Sequence, residues 1–132
     1  MKPLISVVVV NYNGKKFLDD CLSSLERQTY RNFEVILVDN GSSDDSVAFT
    51  RLNHPGVIVV DNGTNLGFAG GTNSGIRVAR GEFIFTLNND TITDPLMLEE
   101  IVRPMQWDPP VEGGVRKCII TVGGLTKLRT VF

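Results

Sequence analysis

Short apolar runs alternate with stretches of helical period along the first ninety or so positions. Ile5-Ser6-Val7-Val8-Val9-Val10, Phe33-Glu34-Val35-Ile36-Leu37-Val38, Val57-Ile58-Val59-Val60 and Phe83-Ile84-Phe85-Thr86-Leu87 are rich in β-branched and aromatic residues. Near-continuous runs of this kind suit strands covered on both faces, as in parallel sheets. Between the first two, Phe17, Leu18, Cys21, Leu22 and Leu25 fall at helical spacing, which predicts a helix over 15–28. A short helix is expected over 46–52 and a third over 68–80, the latter despite Gly70, Gly71 and Gly75. Glycine costs a helix interior about 1 kcal/mol relative to alanine, so three of them imply close backbone approach to the sheet or to a ligand. Thr93-Asp94-Pro95 reads as the start of a fourth helix, with Pro104 as its stop.

The order β-α-β-α-β-α-β-α predicts an α/β fold: an open, mostly parallel sheet with helices on both faces. Residues 1–110 form the expected α/β domain. Residues 111–132 break the pattern with glycines and basic residues, and read as a tail that forms an edge strand beside Arg116-Lys117 or an assembly segment. Trp107 reads as a packing anchor for that tail.

Composition narrows the function. The 132 residues carry a net charge of −2, which gives no reason to invoke nucleic acid, and there is no apolar run of the roughly 18 residues a membrane span needs. Cys21 and Cys118 are too far apart to read as a metal or redox pair, and Cys21 reads as core filler in a reducing, cytoplasmic setting. The single histidine, His54, precedes Pro55-Gly56 in a turn and reads as an exposed surface residue rather than a base; with no other histidine in the chain, triad hydrolysis is disfavoured.

The chemistry gathers at strand ends. Asn11-Tyr12-Asn13, Asp39-Asn40-Gly41 and Asn88-Asn89-Asp90 follow three of the apolar runs. Ligands of open parallel sheets bind beyond the carboxyl ends of the strands, which brings these segments together. Asp90 can hold a divalent cation against a diphosphate, since Mg²⁺ and Mn²⁺ use one or two carboxylates plus substrate phosphates. Asn-Asn-Asp-Thr is equally good turn chemistry. Asp39 can accept a hydrogen bond from a ribose hydroxyl or a base N–H, or it can cap a turn. Asn65-Leu66-Gly67-Phe68-Ala69-Gly70-Gly71 is a glycine-rich loop entering a helix, a place that favours anions. Neither a Gly-x-Gly-x-x-Gly after the first strand nor a phosphate-loop lysine is present, which disfavours dinucleotide and P-loop sites.

Four segments in this order, Ile5–Gly14, Val38–Asp44, Asn65–Gly71 and Leu87–Thr91, together resemble family-two inverting glycosyltransferases of the GT-A fold, most of all their rhamnosyltransferase-like branch. The resemblance covers about residues 3–108. It implies a nucleotide-diphosphate sugar as donor, with Mg²⁺ or Mn²⁺ as cofactor. It places Asn11, Asn13 and Asp39 at the base and ribose, Asn65 and Gly67 along the nucleotide, and Asn73 nearby. Asn88-Asn89-Asp90 stands where the family has Asp-x-Asp, so Asn88 and Asn89 face the donor and Asp90 alone carries the metal. The implied acceptor is a glycan or lipid-linked hydroxyl. The general base is expected beyond Phe132, and the chain reads as a donor-binding half. The alternative is a non-catalytic nucleotide-sugar-binding or assembly module. A half-domain exposes apolar surface, so a homo-oligomer is expected, and the longer enzyme would sit in the cytoplasm or peripherally at the inner face of the membrane.

Overall fold

The computed structural model describes residues 2–103, 118–122 and 130–131. Ten elements follow in order: β1 (Ile5–Asn11), α1 (Lys15–Glu26), β2 (Phe33–Asp39), α2 (Ser46–Asn53), β3 (Ile58–Asp61), α3 (Gly67–Val78), β4 (Phe83–Asn88), α4 (Met97–Val102), β5 (Cys118–Val122) and β6 (Thr130–Val131). They build one sheet in the order β3-β2-β1-β4-β5-β6, parallel throughout except for β6. The expected α/β architecture is therefore present. Pro104, Trp107 and Arg116-Lys117 lie outside the described residues. The later segment supplies an inner strand, β5, and a two-residue outer one, β6.

The strand order reverses between β1 and β4, because α3 carries the chain from one side of the sheet to the other. Val7 and Val9 of β1 face α1, packing with Leu18, Leu22, Leu25, Leu37, Phe85 and Leu98. Val8 faces the opposite way, with Ile36, Val38 and Ile84, beneath Ile76 and Ala79. Both faces of β1 are thus covered, which is why its run is apolar but for Ser6.

The glycines of α3 divide by what they approach. A methyl at Gly75 would stand 2.5 Å from Val8 Cγ1 and 3.0 Å from Val38 Cγ2, so the helix backbone lies directly on the sheet. A methyl at Gly71 would meet the Asn40 amide at 2.8 Å. The sheet, not a ligand, accounts for Gly75.

Two expectations need correcting. His54 is buried, 3% exposed, rather than on the surface. Its Nδ1 lies 2.5 Å from Glu26 Oε1 and its Nε2 3.0 Å from Asp19 Oδ1, so it clasps the end of α2 to α1. Those partners are 28 and 35 positions away, beyond any local signal. The fourth helix begins at Met97 rather than at Thr93. Thr93 is drawn down onto α1: its N–H donates to Ser24 Oγ, and its hydroxyl accepts from the buried Gln28 amide. Asp94 Oδ1 then accepts the Leu96 N–H, which closes a turn where a helix was expected. Gln28 itself lies past the end of α1, and its Oε1 caps the Leu98 N–H.

At the amino-terminal ends of the strands, Glu34 is the hub of a polar clasp. It accepts hydrogen bonds from Ser6 Oγ (2.7 Å), Arg80 N (2.8 Å) and the Arg80 guanidinium (3.1 and 3.2 Å), while the Gly81 N–H donates to Ser6 Oγ. Burial alone would raise the Glu34 pKa, but these donors outweigh it and hold the carboxyl below its usual range. The unfolded chain therefore takes up this proton first, near the ordinary glutamate value of about 4.3. Stability from the clasp is complete above that pH and is lost as pH falls through the lower folded value. Denaturant titrations from neutral pH to about pH 3 should show Glu34→Gln less stable at neutral pH, by about 1–2 kcal/mol with the exposure of Arg80 discounted. The variant's acid loss should be correspondingly shallower.

Candidate functional site

Each of four strands runs to a polar last residue: Asn11, Asp39, Asp61 and Asn88. Register makes this a row. Asn11 pairs with Asp39, Asp39 with Asp61, and Val10 with Asn88. The row crosses the reversal between β1 and β4, where open α/β sheets leave a crevice for ligands.

Asn11 sits at the centre of the row with no exposed surface. Its Nδ2 donates to Asp39 Oδ1 (3.0 Å) and to Ser42 Oγ (3.3 Å), and its Oδ1 accepts from Asn89 Nδ2 (2.8 Å). Asp39, 1% exposed, also accepts the Ser42 hydroxyl (2.7 Å) and the Ser42 N–H (2.9 Å). One network therefore ties the ends of β1, β2 and β4. Buried polar groups are costly unless bonded, so the connected set fixes a single arrangement.

Asn13 holds the two neighbouring loops together. Its backbone is left-handed (φ 50°), a region asparagine tolerates better than most residues. Its N–H donates to Ser42 Oγ, and its Oδ1 accepts the Ser43 N–H. Asp44 adds a second tie by accepting N–H groups at the starts of both α1 (Lys15, 2.9 Å) and α2 (Ser46, 3.2 Å). Burial works against that carboxyl's ionisation, yet the Ser46 and Lys15 donors hold its pKa below the usual range. Gly41, at φ +78°, brings the backbone against Thr64, where a methyl would stand 2.9 Å from Cα.

Beyond this network opens a cleft of about 460 Å³. Val10, Tyr12 and Asn40 line one part, Asn65, Gly67 and Phe68 another, and Asn88, Asn89 and Asp90 a third. Tyr12 and Phe68 are 53% and 59% exposed, unusually bare for aromatic rings. Asn65 Oδ1 accepts the Gly67 N–H in the turn that opens α3. Asn40, which was not singled out from the sequence, is a second buried hub. It donates to Gly67 O and accepts from Asn62 Nδ2, and so links β2 to the loops on either side of Asn65. Tyr12 and Phe68 carry no polar pattern that would mark them beforehand.

The nine residues expected at the site therefore separate. Asn65, Gly67, Asn88, Asn89 and Asp90 line the cleft. Asn11 and Asp39 lie behind its wall, enclosed, and Asn13 binds the adjoining loop. Asn73 is exposed on α3, away from the lining.

Asp90 is exposed, and its carboxylate has no hydrogen-bond partner among the described residues. No cluster of three or more His, Cys, Asp or Glu suited to a metal ion occurs among them. Below the corner, Cys21 Sγ lies 3.9 Å from Asn88 O. Burial pushes this thiol up to about 12, the Thr91 N–H opposes the shift, and the Asp90 charge adds to it. Cys21 thus stays a protonated core residue at neutral pH, not a nucleophile. No helix among the described residues is long and apolar enough to cross a membrane.

Residues 6–131 match the family model described as Glycosyl transferase family 2. Among curated proteins, glycosyltransferase GlyG of Streptococcus pneumoniae is 40% identical over 110 residues, which is 80% of this chain and 36% of that protein. An uncharacterized glycosyltransferase of Haemophilus influenzae is 33% identical over 108 residues, covering 79% and 33%. The chain thus spans about a third of the length of these relatives. Among solved structures, S. aureus TarS 1-349 in complex with UDP superposes with a TM-score of 0.70 at 29% identity, over 78% of this chain and 31% of that one. The mannosyltransferase PcManGT from Pyrobaculum calidifontis, in complex with GDP-Man and Mn²⁺, superposes with a TM-score of 0.62 at 27% identity, over 68% and 28%.

Proposed function

Because the chain belongs to glycosyl transferase family 2, we propose that it is the donor-binding part of an inverting glycosyltransferase that takes a nucleotide-diphosphate sugar with Mg²⁺ or Mn²⁺. The observation that carries this reading is the cleft at the strand-order reversal, with a bare carboxylate, Asp90, beside two amides. TarS with UDP and PcManGT with GDP-Man and Mn²⁺ lend the donor class and the cation.

The residues present fit a shared metal. Asp90 offers a carboxylate that no described protein group occupies, and the oxygens of Asn88 and Asn89 are acceptable hard donors beside it. One carboxylate is the low end of what such an ion accepts, so the diphosphate would supply the remaining oxygens. When bound, the ion supplies positive charge to the departing diphosphate. The chain's own residues bind and orient. Tyr12 and Phe68 flank the nucleotide, and Asn65 and Gly67 border it at the start of α3. Asp39 and Asn11 hold the wall behind it. We assign the general base to no residue of this chain; the resemblance sets it downstream, in the acceptor-binding part. A glycan or lipid-linked hydroxyl is the proposed acceptor.

Thermal unfolding with uridine or deoxythymidine diphosphate tests the reading. Millimolar nucleotide with Mn²⁺ should raise the melting temperature by several degrees, since a ligand present at about 100 times its Kd adds about 2.7 kcal/mol. Omitting Mn²⁺ should remove most of the gain. Identical melting curves with and without nucleotide and Mn²⁺ would refute the reading.

A further inference from the structure

The amides of Asn11 and Asn89 could each present either end, oxygen or NH₂, to a neighbour. The network removes that freedom. Asp39 accepts the Ser42 N–H and hydroxyl, and a carboxylate placed 3.0 Å from Asn11 needs a donor there. Turning the Asn11 amide over would set its oxygen against Asp39 Oδ1. Asn11 must therefore aim Nδ2 at Asp39 and Oδ1 at Asn89. Asn89 must answer with its own Nδ2, at 2.8 Å. That commitment leaves Asn89 Oδ1 with no protein donor among the described residues, on a side chain that lines the cleft beside Asp90.

We propose that Asp39, acting through the buried amide of Asn11, fixes the Asn89 side chain so that its carbonyl oxygen faces the ligand. Asn11 is a positioning residue, and Asn89 an oxygen donor toward a divalent cation held next to Asp90. The inference rests on the proposed function and deepens it. It explains how a corner with one carboxylate favours a cation: an amide that could have offered NH₂ to a phosphate oxygen is locked into offering oxygen. It also couples β2 to β4 across β1, because the residue that sets the Asn89 amide lies at the end of β2, on the far side of β1 from β4.

The test is a double-mutant cycle read by Mn²⁺ affinity in the presence of uridine diphosphate, from the electron paramagnetic resonance signal of free Mn²⁺. Asn11→Ala and Asn89→Ala should each weaken Mn²⁺ binding about 10- to 100-fold, as partners behind a metal site typically do. The double variant should lose no more than the weaker-binding single one, because both changes break the same chain of contacts. Losses that multiply, or an Asn11→Ala protein that binds Mn²⁺ normally, would overturn the inference. A measurement on the unaltered, metal-free protein needs no variant: the Asn89 side-chain N–H that points at Asn11 Oδ1 should be protected from solvent exchange and stay so when Mg²⁺ and uridine diphosphate are added. Rapid exchange of this proton in either state would also overturn it. Normal nucleotide and Mn²⁺ binding with independent losses sinks this inference alone. An unaltered protein that binds no nucleotide sinks the proposed function and this inference together.

Discussion

Asp90→Asn will cost at least about 100-fold in Mn²⁺ affinity in the presence of nucleoside diphosphate, equivalent to about 3 kcal/mol. The substitution keeps shape and removes charge. Among the described residues Asp90 is the one carboxylate lining the cleft, and no cluster of three or more His, Cys, Asp or Glu stands by to replace it. An amide oxygen is an acceptable ligand but cannot neutralise a cation bound to a diphosphate. The fold should barely notice, because the carboxylate is exposed and has no hydrogen-bond partner among the described residues. The free protein's stability should stay within about 0.5 kcal/mol, as for surface changes away from special features. Isothermal titration with Mn²⁺ and uridine diphosphate, beside thermal unfolding of the free protein, separates the two effects. Retained affinity would mean that Asp90 is a turn residue after all.

Gly14→Ala is expected to damage the same corner from behind. At φ −107° this backbone suits any residue, so the effect is steric alone. A methyl at Gly14 would stand 2.2 Å from Asn89 Nδ2 and 2.5 Å from Asn11 Oδ1, on the bond that joins them. Either the bond breaks, leaving buried Asn11 short of a donor, or the start of α1 moves. Overpacking of this kind costs about 1–3 kcal/mol. Displacement of a group supporting the metal should weaken Mn²⁺ binding a further 10- to 100-fold. Chemical denaturation and the Mn²⁺ titration measure the two losses. A Gly14→Ala protein equal to its parent in both would show that the corner is loose.

The strands were legible because a strand enclosed on both faces must be largely apolar along its length, as β1 is from Ile5 to Val9 apart from Ser6, which the Glu34 clasp satisfies. Their ends were less so. Asn11, Asp39, Asp61 and Asn88 look like loop residues by type, yet each still belongs to the ladder, and that extra position creates the polar row. Topology then made the neighbourhood of Asp39 and Asn88-Asn89-Asp90 foreseeable, since every parallel strand ends at the same edge. The division of labour was not foreseeable. Whether an asparagine faces solvent or is sealed behind a wall depends on partners far along the chain: Asn11 meets Asn89 across 78 positions. The burial of His54 and Gln28 was hidden for the same reason. Each satisfies its polar atoms on another element, and Gln28 reaches Leu98 70 positions on. Local pattern reports which face of an element is apolar; it does not report which polar side chains a distant segment will claim.

The Glu34 clasp stands at the opposite end of the strands from the cleft, with a solid apolar layer between. Such separation lets drift at one pole go uncorrected by the other. Changes confined to the loops after β1, β2 and β4 therefore leave the rivet at the far end, and the strand register it secures, untouched.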